Sequence, residues 1–259
     1  MAEEEATAAS ITTHLKELRK RIIIIIAALA VGFAVSYGFS DRLYNVLAHP
    51  LIPALPEGFD FIAFTGVVEP FFVYIKVGFL GAIVLSSPVI LYEAWAFVAP
   101  GLYKTERLWF LVLVLVSLAL FISGVLFAFF VVFPFAFKYL LGYASEDLRP
   151  ILSMNSYFSL VTRLLIAFGV IYQLPLAILV LARLGLVTAK QLISWWRYAV
   201  LAIIVASAIF TPTPDIFNQL LMAGPLLVLY ALGVVVAKIF GKKKEAVEEE
   251  KGAVEVDEE

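Results

Sequence analysis

The chain has 259 residues, of which 63% are hydrophobic and only 15% charged, with a net charge of −2 and no cysteine. A soluble domain carries about 45–50% apolar and about 25% charged residues, so lipid is the expected solvent for most of this surface, and mean hydropathy is +0.98. Disulfides, zinc–thiolate sites and thiol catalysis are excluded, and the only histidines, His14 and His49, flank the first apolar run on opposite sides.

The N-terminus does not read as a cleaved leader. Three Glu precede a basic stretch, and the first apolar run is too long and lacks an A-x-A-like exit. Residues 1–11 form a tail, and the basic Lys16, Arg19, Lys20 and Arg21 introduce the first span, Ile22–Ser40. The 41–70 loop is rich in proline and aromatics (Pro50, Pro53, Pro56, Phe59, Phe61, Phe64) and predicts an ordered cap at the membrane interface. The second span, Phe71–Tyr92, contains Ser86-Ser87-Pro88, where Pro88 removes a backbone donor and kinks the helix. The third, Leu108–Phe137, exceeds the roughly 20 residues a bilayer core needs. It carries Pro134 near its far end and is expected to tilt or project. The fourth, Leu164–Ala182, holds Gln173 two residues before Pro175. Pro50, Pro88, Pro134 and Pro175 are the candidate structural prolines. Tyr198–Phe210 has 13 residues, about 20 Å of helix, and by length could be re-entrant. The last run is Ile216–Ala237, followed by a charged tail over 241–259 expected to be disordered.

Charge decides the short segment. Four Lys or Arg lie in the N-terminal tail, two at 104–107, three at 183–197 and five from Lys238 onward, 14 against 5 in the alternate loops. The positive-inside rule then places both termini in the cytoplasm. An even number of crossings follows, so the expected fold is all-α: six transmembrane helices over residues 12–240, with helices five and six short.

Motifs for enzymatic chemistry are missing. Neither a phosphate loop nor H-E-x-x-H nor G-x-S-x-G occurs, so no enzyme activity and no cofactor or metal is expected, and nothing suggests a nucleic-acid partner. Secondary transporters keep ionisable groups near the bilayer midplane, whereas the 108–137 run has none. That favours a receptor over an ion-coupled solute transporter, the alternative. Glu17 reads either as a helix-surface carboxylate paired with Arg21 at i,i+4 or, with Glu106 on the same membrane face, as part of a site for an incoming cation. Glu106 alone reads as an N-terminal helix carboxylate, Asp215 as an N-cap, and Lys76 and Arg163 as snorkelling side chains. Gln173 is expected to be buried and hydrogen-bonded between helices.

Five segments carry a family resemblance: HLKELRKR (14–21), SPVILYEAWAFVAPGLYKTER (87–107), FVVFPFAF (130–137), FGVIYQLP (168–175) and TPTPDIFNQLLMAGPLLVLY (211–230). Over residues 12–240 the chain resembles the TatC family, the multispanning receptor subunits of the twin-arginine translocase. The resemblance implies a multi-pass protein of the cell inner membrane. Such a protein binds twin-arginine signal peptides of folded precursors and works with single-span subunits of the TatA/TatB type in a multimeric complex driven by protonmotive force. It assigns signal-peptide binding to Glu17 and Glu106, with Arg19 and Phe97. Contact with the single-span partners, or a buried polar role, falls to Gln173, Thr211, Asp215 and Gln219. Three positions depart from the family pattern: Gln173 replaces an intramembrane Glu, Glu93 replaces a common Gln, and Ala231 replaces a common acidic residue. The loop PILSMNSY (150–157) also lacks a frequent Asp.

Overall fold

The computed structural model describes residues 2–55, 62–64, 66–98, 107–142, 151–210 and 216–241. These form α1 (Ala2–Gly38), α2 (Ser40–Ala48), α3 (Glu69–Val98), α4 (Arg107–Phe127), α5 (Phe133–Leu141), α6 (Met154–Ile171), α7 (Leu174–Arg183), α8 (Ala189–Ser194), α9 (Trp196–Phe210) and α10 (Ile216–Phe240). A helix pairs its own backbone groups, which is what lipid requires of a spanning segment. Five stretches are long and apolar enough to cross: His14–Gly38, Glu69–Val98, Leu108–Leu141, Met154–Arg183 and Asn218–Phe240. The remaining span, fifth in chain order, is α9, whose 15 residues give about 22 Å; the last helix, expected to be short as well, is instead full length at 25 residues. Apolar side chains such as Ile26, Val31, Leu111 and Leu115 are exposed, as lipid-facing positions are. The chain packs as two compact units, Met1–Ile122 with Phe137–Thr162, and Ser123–Ala136 with Arg163–Glu259.

In the first unit α1 and α3 run antiparallel along a seam of small residues. A Cβ on Gly78 would meet Tyr37 and Phe33, one on Gly81 would meet Ser36, and one on Gly32 would meet Ser86 and Ala82. Small side chains let two backbones approach closely where lipid supplies no hydrophobic drive between helices. Ser86 Oγ then donates to Ala28 O across the seam at 2.8 Å. The contacts pair residues in steadily opposing order, which fixes the register of the two helices.

Pro88 lies within α3 and deprives Val84 O of its usual donor four residues on. Ser87 Oγ donates to that same carbonyl at 2.7 Å, so the side chain beside the proline repairs the ladder. The third span copes differently with Pro134. The residues before it widen into a π-turn, Ala128–Val132, in which Phe133 N–H reaches back to Ala128 O. The whole stretch Leu108–Leu141 has 34 residues, about 51 Å, so it exceeds a perpendicular crossing as expected.

The described part of the 41–70 segment, residues 41–55, 62–64 and 66–70, is ordered as its composition suggests, and Pro56, Phe59 and Phe61 lie outside the described residues. It contains α2, a 3₁₀ turn at Ile52–Ala54 and buried Pro50 and Leu51. Ala63 forms a parallel bridge with Ser153, Tyr157 donates to Leu47 O at 2.7 Å, and Tyr44 stacks on Phe158. Glu69 Oε1 accepts from Ser153 Oγ at 2.8 Å and from Asn155 N at 2.6 Å. A carboxylate from α3 thereby caps the N-terminus of α6, where orphan N–H groups and the helix dipole favour it. Lys76 does not snorkel freely: Nζ donates to Asn155 Oδ1 at 2.6 Å and to Ser159 Oγ at 2.8 Å.

In the second unit the fourth span breaks between α6 and α7. Gln173 N–H bonds Val170 O in a 3₁₀ step, and the ladder resumes with Ala177 N–H to Gln173 O. Pro175, buried in the first turn of α7, has no N–H to lose there. Gly185, at φ 73°, ends α7. Its N–H bonds Ala182 O and that of Leu186 bonds Leu181 O, a Schellman closure that needs the left-handed conformation. A Thr188–Gln191 capping box starts α8, and Tyr230 of α10 donates to Leu192 O at 2.8 Å.

Candidate functional site

The α1–α3 seam ends in a charged cluster. Toward its N-terminus α1 presents His14, Glu17 and Arg21, spaced three and four apart and therefore on one face. Glu93 and Phe97, four apart near the end of α3, face them. The rings of His14 and Phe97 stack with centroids 4.5 Å apart. Arg21 forks between two carboxylates: Nη2 donates to Glu17 Oε1 at 2.5 Å and Nη1 to Glu93 Oε2 at 3.0 Å. Side-chain exposure differs sharply across the three, at 45% for Glu17, 15% for Arg21 and 10% for Glu93. Arg21 is thus sunk against Glu93, while Glu17 faces outward. The Nε of Arg21 is buried without a hydrogen-bond partner.

The helix geometry sorts the candidates on α1. Arg19 is exposed and stands two residues from Glu17, about 200° around the axis. The arginine at Glu17 is Arg21. Glu106 lies outside the described residues. It immediately precedes Arg107, the first residue of α4, and α4 is held to α3 by an edge contact of Tyr92 with Phe110 and by Trp95 Nε1 donating to Ser117 Oγ at 2.8 Å. Glu93 and His14 were missing from the candidates read from sequence. The i,i+4 spacing of Glu17 and Arg21 was the available signal, whereas Glu93 reaches Arg21 only through tertiary packing.

The remaining candidates belong to the second unit. Gln173 is half-buried at the α6–α7 break, and its Nε2 lies 3.5 Å from Gly169 O of the same span. Gln219 Nε2 donates to Ile204 O at 3.1 Å, tying α10 to the short α9, and Ser207 Oγ donates to the same carbonyl. Thr211 and Asp215 lie outside the described residues. Among the described residues no group of three His, Asp or Glu is placed to hold a metal.

Comparison with known proteins gives one answer. The family model for Sec-independent protein translocase protein (TatC) matches residues 13–225. A TatC of Desulforapulum autotrophicum is 42% identical over 239 residues, covering 92% of this chain and 88% of that protein. The TatC of Escherichia coli K12 is 41% identical over 228 residues, covering 88% of each. A crystal structure of the twin arginine translocase receptor TatC is 38% identical with a TM-score of 0.77, covering 87% of this chain and 98% of that one. With six apolar helices in the matching arrangement, the chain belongs to the TatC family, the non-catalytic membrane-spanning components of the Sec-independent protein translocase.

Proposed function

We propose that this chain is the receptor subunit of a twin-arginine translocase and that Glu17 and Glu106 bind the paired arginines of signal peptides. The observation that carries the reading is the Glu17 carboxylate. It is nearly half exposed and already accepts a guanidinium hydrogen bond, the interaction an incoming arginine would make. Arginine presents a planar fork to carboxylate that the lysine ammonium cannot copy. Phe97, stacked on His14 one turn beyond Glu93, offers an apolar surface beside the charges, and Arg19, on the opposite side of α1 from Glu17, adds an exposed positive charge at this end of the helix. The charge bias supports a cytoplasmic position for this end of the bundle and for both termini, in the inner membrane of the cell. Gln173, Gln219, Thr211 and Asp215 belong in this reading to the region that meets single-span subunits of the TatA/TatB type. Translocation of folded precursors then draws on protonmotive force.

Titrating labelled Arg-Arg and Lys-Lys peptides into purified Glu17→Ala and Glu106→Ala variants tests the proposal. A charged hydrogen bond contributes about 1.5–3 kcal/mol, and the exposure of Glu17 puts it at the lower end. Each variant is expected to bind the Arg-Arg peptide about 10-fold more weakly, with little change for Lys-Lys. Unchanged Arg-Arg affinity in both variants would place the site elsewhere.

A further inference from the structure

Arg21 has the chemistry of the proposed ligand and already occupies the proposed site. We infer that Arg21 is a resident guanidinium that a signal-peptide arginine displaces from Glu17, and that Glu93 is the carboxylate that retains Arg21 when Glu17 is taken. This rests on the reading of Glu17 as a signal-peptide carboxylate. Three observations carry it. The two terminal nitrogens of Arg21 are divided between the two carboxylates, one each, so one bond can open while the other holds. Glu17 is the exposed partner and Glu93 the buried one, so a ligand arriving from solvent reaches the Glu17 side first. The Nε of Arg21 is buried without a partner, so the guanidinium is not locked in place by a full set of bonds.

The consequence is a selectivity filter by exchange. A ligand must replace a guanidinium–carboxylate bond with one at least as good, which a second arginine can do and a lysine does poorly. Without Glu93, Arg21 would have to be stripped of its counter-charge in a half-buried position. The acidic residue at 93 therefore eases the exchange.

Affinity for the Arg-Arg peptide, measured on the purified full-length protein, tests this in a cycle of Arg21→Gln, Glu93→Gln and the double variant, with Glu17→Gln as reference. An exposed ion pair is worth about 0.2–1 kcal/mol, so Arg21→Gln is expected to tighten binding about 1.4- to 5-fold. Glu93→Gln is expected to weaken it by a similar factor, but to have no effect once Arg21 is Gln. A simple field effect of the lost carboxylate would instead weaken binding equally in both backgrounds, and that result would overturn the inference. So would an Arg21→Gln variant that binds no tighter while Glu17→Gln binds weakly. Arg21→Lys guards against misfolding: it keeps the charge, but its single ammonium cannot fork, so it is expected to tighten binding by less than Gln does. Wild-type affinity in Arg21→Lys would again count against the exchange. If Glu17→Gln leaves affinity unaltered, the underlying site assignment fails, and the inference with it.

Discussion

Replacing Gly32 by alanine probes the seam that holds the charged cluster together. The new Cβ would lie 2.6 Å from Ser86 Oγ, 3.1 Å from Ala82 O and 3.4 Å from Ala82 Cα. Ordinary contact begins at 3.4 Å, so roughly 0.8 Å must be found. Ser86 can rotate away only by giving up its bond to Ala28 O, worth about 0.5–1.5 kcal/mol. Otherwise α1 must shift off α3, and overpacking of this kind costs about 1–3 kcal/mol. Against either stands the gain of about 1 kcal/mol in helix propensity from Gly to Ala. The expected net loss is about 1 kcal/mol, read as a lower thermal midpoint of the detergent-purified protein by tryptophan fluorescence. Weaker Arg-Arg peptide binding is also expected, because Arg21 lies 11 residues along the same helix, about 16 Å away. Adding Ser86→Ala removes the nearest obstacle. The double variant is then expected to be about 1 kcal/mol more stable than the two single losses predict. Strict additivity, or a Gly32→Ala variant more stable than wild type, would refute the reasoning.

Gln173→Leu is expected to cost about 1 kcal/mol of stability, the lower end for a buried amide given its long 3.5 Å contact, read as a lower thermal midpoint, and to reduce co-purification with single-span subunits. Gln173→Glu is expected to be tolerated. Unaltered stability and co-purification in the Leu variant would count against a role for the amide. The chain contains no cysteine, so single cysteines at Gly58 and Gly252 report orientation cleanly. A membrane-impermeant thiol reagent added outside intact cells is expected to label position 58 and spare 252, and the reverse pattern would overturn the charge-based topology.

The spans were legible because length and hydropathy answer directly to bilayer thickness, and α9, too short by that measure, was placed by charge. Their ends were less legible. The fourth span starts at Met154 rather than at Leu164, because Asn155 and Ser159 look too polar for a membrane helix. Their polarity is matched by Lys76 of α3, a partner that no local pattern reveals. The site divides in the same way. Glu17 with Arg21 follows from i,i+4 spacing, but Glu93, 72 residues from Arg21, registers in the sequence only as an unusual residue. Periodicity tells which face a residue takes and leaves open what stands opposite.

The latch between Glu69, Lys76 and the start of α6 also bears on how the protein is made. Glu69 waits for Ser153, 84 residues further along the chain, and Lys76 for Asn155, 79 residues further. At a synthesis rate of about 5–20 residues per second, the first wait lasts roughly 4–17 s. For that interval the nascent second span carries an ammonium and a carboxylate whose α6 partners have not left the ribosome, although Glu69 already accepts from Gly66 N–H. The cap over α2 and α6 is therefore among the late events of biogenesis, closing only once the fourth span emerges.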